Sequence, residues 1–467
     1  MRMIKNKDPI VKYHNCMSLR DSFSALDFAF KYSDPERIVS RSVKTDSNLH
    51  ITDINNVIYN FDLPVKTSTL VVSVGKASEK MLIGFFNKMK GKIKKAILII
   101  PIGYKIEKNN FELLENTTVI QSSHPIPNVK STLAARRVVE ELQNEDDIQL
   151  IVFLISGGSS SLMVSPIEGI KLTDKKIINK MLITSGADIQ QINVVRKHLS
   201  QIKGGKILRV IDSNIPVISL ILSDVVGDHL DTIGSGLTSS DTSTFKDALS
   251  ILDTHSILSY NTECIRKVKA VLESGVRSQI PETMKLEEFR MRRVTNIIVG
   301  NNSNFCRLIE VYFKKRGYFT NYMGSNYGIF MDDFIKLASK IIKAKNEPKT
   351  CVILGGEVTN KLSERTIGIG GRNQEAICRM LHLCRDSSLR DFSVICIGTD
   401  GIDGNSPSAG GFITPKTIEL LKRKKLDVNN YIQGSNSNVL LTKLRSTIDT
   451  GYTGANFNDV YLFVRNN

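Results

Sequence analysis

No stretch of 18 or more apolar residues occurs in the 467-residue chain, so no transmembrane helix is expected. The first twenty residues, MRMIKNKDPIVKYHNCMSLR, hold no apolar h-region, and no secretory signal is expected either. They are basic but lack an Arg/Ser-rich amphipathic pattern, which favours a cytoplasmic location over the alternative of a mitochondrial presequence. The seven cysteines are scattered and form no C-x-x-C. Neither a zinc site nor a disulfide framework is therefore supported. Cys351 and Cys396 sit in apolar runs and read as small buried hydrophobes, and a reducing compartment fits.

Two nucleotide-binding signatures are also missing. There is no G-x-x-x-x-G-K-S/T loop and no G-x-G-x-x-G fingerprint. The nearest approach, Gly368-Ile369-Gly370-Gly371-Arg372-Asn373, has asparagine where the last glycine should stand. That weighs against a nicotinamide-dependent dehydrogenase.

What is present is a globular composition, 41% hydrophobic and 24% charged, at a length that implies two or three domains. The net charge of +16 is largely lysine spread over surface-like segments such as Lys88–Lys95. No aromatic residues interleave with that run, so a solvated surface is favoured over nucleic-acid binding. A basic cleft for a small anion is compatible with the same excess.

A theme repeats along the chain: an apolar, β-branched run ends in a small-residue loop, and a helical pattern often follows. The runs beginning at Leu70, Leu150, Val217, Val294, Cys351 and Ser393 all fit it. Such alternation predicts parallel sheets and an α/β class, with ligands at the carboxyl ends of the strands. A boundary between two domains is expected near residues 275–292, within the polar stretch around PETMKLEEFRMRR. One helix can be read in detail. Ser185 is its candidate cap, Ile189, Ile192, Leu199 and Ile202 its apolar face, and Gly204-Gly205 its end. Asn193, Arg196, Lys197 and Ser200 share another face, of interest if it looks into a cleft.

Four features carry chemistry. The run Ser156-Gly157-Gly158-Ser159-Ser160-Ser161 offers backbone N–H groups and hydroxyls to a polyphosphate, or is a tight turn. Lys76, after Val74-Gly75, can hold a carboxylate or a transferring phosphoryl group, or be an exposed cap. Arg372 follows two glycines that allow close backbone approach while its planar fork grips an oxyanion, with Asn373 and Gln374 as neutral donors. The pairs Asp224/Asp228 and Asp400/Asp403 can ligate Mg²⁺ or accept a hydroxyl proton, or can simply make turns and caps. His124 and His229 are weaker acid/base candidates. Together, the carboxylates and the anion grips make phosphoryl transfer the economical reading.

The set as a whole resembles the class II glycerate kinases, whose carboxyl-terminal domain is called MOFRL. Collinear blocks carry the resemblance from about residue 70 to 415: VGKASEKM (74–81), SSHPIPN (122–128), LISGGSSSL (154–162), SGADIQQINVVRKHLSQIKGGKI (185–207), LSDVVGDHLDTIGSGLTSSD (222–241), LGGEVT (354–359), GGRNQE (370–375) and GTDGIDG (398–404). The resemblance implies two α/β domains: a Rossmann-like three-layer domain with a mostly parallel sheet, expected over 18–275, and a MOFRL domain over 290–467. The active site would lie in the cleft between them. It implies an ATP- and Mg²⁺-dependent enzyme that phosphorylates D-glycerate at the 2-hydroxyl, in serine and fructose breakdown.

On this expectation Lys76, Arg372, Asp228 and Asp400 are catalytic, and Ser156, Asn193, Arg196, Lys197 and Asn373 bind substrate. Gly157, Gly158, Ser159, Ser160, Gly355, Gly356 and Glu357 bind the nucleotide, and Asp224 and Asp403 the metal. The partners are small molecules, with a homodimer as the assembly considered. The chain departs from the family pattern at Ser159 (usually glycine), at Leu237 (usually proline) and at Asn405-Ser406-Pro407 (often Pro-Thr-Asp, so that a carboxylate is lost). The alternatives are a hydroxypyruvate reductase and a non-catalytic basic binding protein with a degenerate kinase fold.

Overall fold

The computed structural model describes residues 3–62, 67–106, 115–144, 147–344, 348–359, 368–384 and 391–466. The chain divides into two units. One comprises Pro35–Ser223 and Asp228–Val299, the other Met1–Asp34, Asp224–Gly227 and Gly300–Asn467.

In the first unit a small antiparallel sheet of β1 (Val43–Thr45), β2 (Asn48–Thr52) and β3 (Ile58–Asp62) precedes the main sheet. The main sheet contains β4 (Thr69–Val74), β5 (Ile93–Pro101), β6 (Thr117–Ser122), β7 (Leu150–Ile155), β8 (Val217–Leu222) and β9 (Val294–Gly300), in the order β6-β5-β4-β7-β8-β9. Its pairs β6/β5, β5/β4, β4/β7 and β7/β8 are parallel. β4, β7 and β8 are buried at every residue. They therefore read as continuous apolar runs, as central parallel strands with both faces covered must. β4 and β7 lie side by side in register, Val74 opposite Ile155, so the loops after them emerge together. A separate apolar cluster, which includes Ile178, Leu182, Val195, Phe245, Leu252, Val268 and Leu272, joins the helices 172–184, 189–198, 245–254 and 263–276.

The expected domain boundaries fall differently in the structure. β9, at the head of the second expected domain, completes the first sheet. The polar stretch 281–293 is no linker. Met284 N–H donates to Gly204 O at 2.9 Å, Asp241 N–H donates to Met284 O at 2.8 Å, and Thr283 and Met284 are buried. Glu282 accepts from the Phe245 N–H, Lys285 donates to Ser243 O and Arg292 to the Leu208 and Ile211 carbonyls, so a stretch that composition alone reads as a loop is tied into the unit. At the other end, helix Met17–Tyr32, placed in the first domain by the boundary at 18, belongs to the second unit. There its Ser18 N–H donates to Asp391, its Ser22 hydroxyl meets that of Ser393 at 3.1 Å, and Phe23 packs edge-on against Phe412.

The second unit's sheet is mixed. It contains β10 (Phe319–Tyr322), β11 (Thr350–Gly356), β12 (Phe392–Gly398), β13 (Gly410–Ile413), β14 (Thr447–Ile448) and β15 (Asp459–Arg465), in the order β10-β11-β15-β12-β13-β14. Only β10/β11 is parallel among its recorded pairings. The expectation of parallel sheets fails here, because the last strand lies antiparallel between β11 and β12 and because β13 and β14 add further antiparallel pairs beside β12. Local periodicity cannot reveal a pairing so distant in sequence.

The helix read in detail also starts and stops elsewhere. It runs Ile189–His198, capped by Asp188, whose side chain accepts from the Gln191 N–H while Gln191 reaches back to the Asp188 N–H. This reciprocal box satisfies two end donors, so Ser185 is not needed. Gly204 and Gly205 lie beyond, in left-handed turns at φ +62° and +75°.

Candidate active site

In the first unit the Lys76 loop and the glycine–serine loop are stitched into one surface. Gly75 has φ +133°, and a Cβ there would collide with Ser156, so only glycine lets these two strand ends meet. Lys76 N–H donates to Gly157 O at 2.8 Å, Ala77 N–H to Ser156 Oγ at 3.1 Å, and Ser156 N–H to Val74 O at 3.1 Å. Gly158, at φ +87°, leaves room for the His124 ring, whose Cδ2 stands 2.8 Å from where a Cβ would be.

The serine loop is not an open ring of donors. Ser159 N–H donates to Ser156 O, and Ser161 and Leu162 N–H both donate to Gly158 O. The Ser161 hydroxyl also donates to Gly158 O, at 3.0 Å. The Ser160 hydroxyl pairs with that of Ser235 at 2.9 Å, and Ser235 donates to Asn193 Oδ1 at 3.2 Å.

Positive charge gathers beside this loop instead. A cavity of about 540 Å³ is lined by His124, Gly158, Ser160 and Ser161 together with Lys175, Lys176, Lys180, Arg196 and Lys203, and among the described residues no carboxylate lines it. Lys203 Nζ donates to Ser160 Oγ at 3.3 Å and to Gly234 O at 3.2 Å. Burial, with Arg196 nearby, pushes its ammonium down to about 7. Lys175 donates to the carbonyls of Arg196 and Leu199, and burial plus the neighbouring cations lower it as well. Arg196 is held by Asn179 Oδ1 at 2.7 Å.

The shared face expected for Asn193, Arg196 and Lys197 splits. Arg196 lines the cavity, whereas Lys197 is buried against Asp241 at 2.6 Å. Asn193 is reached through Ser235. Lys197 thus neutralises a buried carboxylate rather than facing open space. Asp228, at φ +56°, belongs to this unit, whereas Asp224 belongs to the other.

In the second unit Arg372 opens helix Arg372–Cys384. Asp403 is buried against the start of that helix. It accepts from the N–H groups of Asn373 (3.0 Å) and Gln374 (2.9 Å), and from Gln374 Nε2 (2.9 Å). Its oxygens are thereby taken up in satisfying end donors of the helix. Burial nonetheless lifts its carboxyl above the usual range, against the pull of those N–H groups. Gly371 is required by this arrangement, since a Cβ there would strike the Asp403 carboxyl.

The Arg372 fork closes on Asp459 at 2.6 and 3.2 Å, and its remaining terminal nitrogen donates to Glu357. Burial disfavours the charged guanidinium, but Asp459 and Glu357 hold it well above its usual value. Burial lifts Asp459 itself to about 6, despite Arg372 beside it. The oxyanion gripped by Arg372 in the structure is therefore a carboxylate of its own chain.

Arg372, Glu375, Asp400 and Asp403 line a cavity of about 660 Å³. Asp400 accepts from the Ile402 N–H at 3.1 Å. Gly355 and Gly356 are required by packing, since Cβ atoms there would collide with Asn302 and with the Tyr327 backbone. Among the described residues no group of three or more His, Cys, Asp or Glu side chains could hold a metal ion. Asp224 accepts from Asn456 Nδ2 at 3.3 Å.

Sequence reasoning missed Asp459, Lys175 and Lys203. Lys203 stood within the QIKGGK string, where its burial was the absent signal. Asp459 stood in no motif at all.

Two family models match the chain: a domain of unknown function, DUF4147, over residues 22–273, and the MOFRL family over residues 350–459. The glycerate 2-kinase of Pyrococcus horikoshii is 31% identical over 93% of this chain and 94% of its own. That of Sulfurisphaera tokodaii is 33% identical over 92% and 96%. The chain belongs to the glycerate 2-kinase family. A crystal structure of the glycerate kinase of Thermotoga maritima superposes with a TM-score of 0.78 at 27% identity, covering 95% of this chain and 98% of that one.

Two of the departures from the glycerate 2-kinase pattern acquire a physical meaning. Ser159 lies outside the left-handed region and begins the short helix Ser159–Leu162, so its side chain costs no backbone strain. Asn405 accepts from the Gly370 N–H at 2.9 Å and donates to Gly368 O at 3.0 Å. It pins the glycine loop that leads to Arg372, using a donor and an acceptor at once.

Proposed function

We propose that this chain is an ATP-dependent kinase that transfers the γ-phosphoryl group to the 2-hydroxyl of D-glycerate, giving 2-phospho-D-glycerate. The observation that carries this reading is the joined strand-end surface of Lys76 and the Ser156–Ser161 loop, bordered by a cavity that holds cations and no carboxylate. Phosphoryl transfer asks little covalent chemistry of a protein. It needs positioning and the neutralisation of phosphate charge, both of which such a surface supplies.

On this reading Lys76 binds substrate carboxylate or phosphoryl oxygens, with Ser156 and Asn193 holding the loop that presents it. Gly157, Gly158 and Ser160 border the phosphates. Asp228 or Asp400 takes the hydroxyl proton as the glycerate oxygen attacks. Arg372 and Asn373 bind glycerate once Arg372 exchanges a carboxylate of its own chain for that of the substrate.

The donor set does not form a protein-only metal cage. It does fit Mg²⁺ carried largely by phosphate oxygens and water, for which one or two carboxylates suffice, and Asp224 and Asp400 are the candidates. When bound, Mg²⁺ would neutralise phosphate charge. The pathway setting in serine and fructose breakdown belongs to the same proposal, as does a cytoplasmic location.

The test is to incubate the purified protein with D-glycerate, ATP and Mg²⁺ and to resolve 2- from 3-phosphoglycerate. Formation of 3-phosphoglycerate would overturn the assignment of the 2-hydroxyl. No phosphoglycerate at all, with NADH consumed on hydroxypyruvate, would favour the reductase reading.

A further inference from the structure

The carboxylate-free cavity of the first unit has two unlike walls. One is cationic: Lys175, Arg196 and Lys203, the last of these 3% exposed. The other is apolar and faces solvent, with Ile126 at 66% and Ile183 at 46% exposed beside Pro125 and Pro127. Neither wall is complete in itself. A buried ammonium is ordinarily paired with a carboxylate, yet the contacts recorded for buried Lys203 are Ser160 Oγ and Gly234 O, and the half-buried Lys175 and Arg196 likewise meet neutral oxygens, the carbonyls of residues 196 and 199 and Asn179 Oδ1. Two of the three donors of the Lys175 ammonium are so taken. Elsewhere in the same unit the buried Lys197 is paired with Asp241, whereas the buried Lys206 has no hydrogen-bond partner among the described residues and lies over the Phe245 ring.

A ligand that satisfies both walls must carry several negative charges at one end and a flat or apolar group at the other. We propose that this cavity is a nucleoside polyphosphate site, in which Lys175, Arg196 and Lys203 hold the phosphates and Pro125, Ile126 and Ile183 cover the base. The cavity's 540 Å³ lies within the range of sites that enclose a small molecule of that size. The proposal rests on the kinase reading and deepens it. It adds to the serine loop, where the Ser156, Ser159 and Ser161 N–H groups are already bonded within the chain, a phosphate grip of cations that no motif announced. Ser160 is the joint between the two, since it lines the cavity and accepts from Lys203.

The experiment compares steady-state kinetics of the wild type with Lys203→Met, Lys180→Glu and Ile183→Glu, alongside direct binding of a fluorescent ATP analogue and its displacement by ATP or inorganic tripolyphosphate. Lys203→Met is expected to raise the KM for ATP about tenfold or more, with the KM for D-glycerate within about twofold. Lys180 is exposed on the rim, so Lys180→Glu tests the charge without disturbing the interior if Lys203→Met fails to fold. It should raise the KM for ATP severalfold. ATP should displace the analogue more effectively than tripolyphosphate does, and Ile183→Glu should narrow that gap. An unchanged KM for ATP in Lys180→Glu and in folded Lys203→Met, or a rise confined to the KM for D-glycerate, overturns the assignment. Equal displacement by tripolyphosphate would make the cavity a plain phosphate site and remove the nucleoside. If the wild type forms no phosphoglycerate, the kinase reading has failed, and analogue binding still decides whether the cavity takes a nucleotide.

Discussion

The two cavities place their charges in opposite ways. That of the first unit concentrates Lys175, Arg196 and Lys203 without a carboxylate in its lining, and burial lowers all three. That of the second unit mixes Arg372 with Glu375, Asp400 and Asp403, and its arginine is closed on Asp459 and Glu357. The first gathers cations whose charge burial disfavours, and an anion bound there would restore it. The second has neutralised its cation internally, so a ligand must compete with carboxylates already in place. On the proposed reading the first binds an anion directly and the second exchanges one carboxylate for another.

The severest way to break this contrast is Arg372→Ala. Removing the guanidinium strands Asp459, which is 1% exposed. The loss of a buried partner should cost about 3 kcal/mol of stability, with turnover falling about 100-fold or more. Denaturant unfolding and phosphoglycerate formation measure the two separately. The ion pair with Asp459 couples the fold to this side chain. Lys76→Ala should lower turnover by a similar factor, measured as phosphoglycerate formation, while the backbone bond from the Lys76 N–H to Gly157 O still joins the two loops.

The pH dependence of stability sharpens the contrast. Lys203 titrates near 7 in the folded chain, below the ordinary 10.5. From pH 7 towards 10 the unfolded chain therefore binds the extra proton, and stability rises with pH. Lys203→Met should flatten that slope. Asp459 is shifted up, from 3.8 to about 6, so the folded chain holds the proton longer and stability falls as pH rises from about 4 to about 6. Asp459→Asn should abolish that fall. Urea titrations across both windows, for wild type and variants, check the signs. The smallest effect is expected of Ser159→Gly. It restores the family's residue where no left-handed backbone requires it, and it should change stability by less than about 1 kcal/mol.

Much of the first unit was legible because its strands are central and parallel. Each reads as an unbroken apolar run, and each ends at a small-residue loop where Lys76, Ser156 and Asp228 could be picked out. Arg372 and the two glycines before it were equally visible. What those glycines do was not, since Gly371 makes room for Asp403 rather than for a ligand. The basic cavity was hidden because Lys175, Arg196 and Lys203 lie on three separate segments, the helices 172–184 and 189–198 and the turn beyond, which only folding brings together. Their lysines and arginine look like the surface charge that fills the rest of a chain with a net +16.

By itself the sequence determined the α/β class, the strand-end loops and the family, since apolar runs, turn residues and ordered motifs are local properties. Tertiary structure alone decided that the last strand divides β11 from β12, that β9 completes the first sheet, and that Arg372 meets Asp459 across 87 positions of chain. The physical reason is the same in each case. Strand pairing and ion pairing are set by what is close in space, and burial, which alone turns an ordinary lysine into a binding group, exists only once the chain has closed around it.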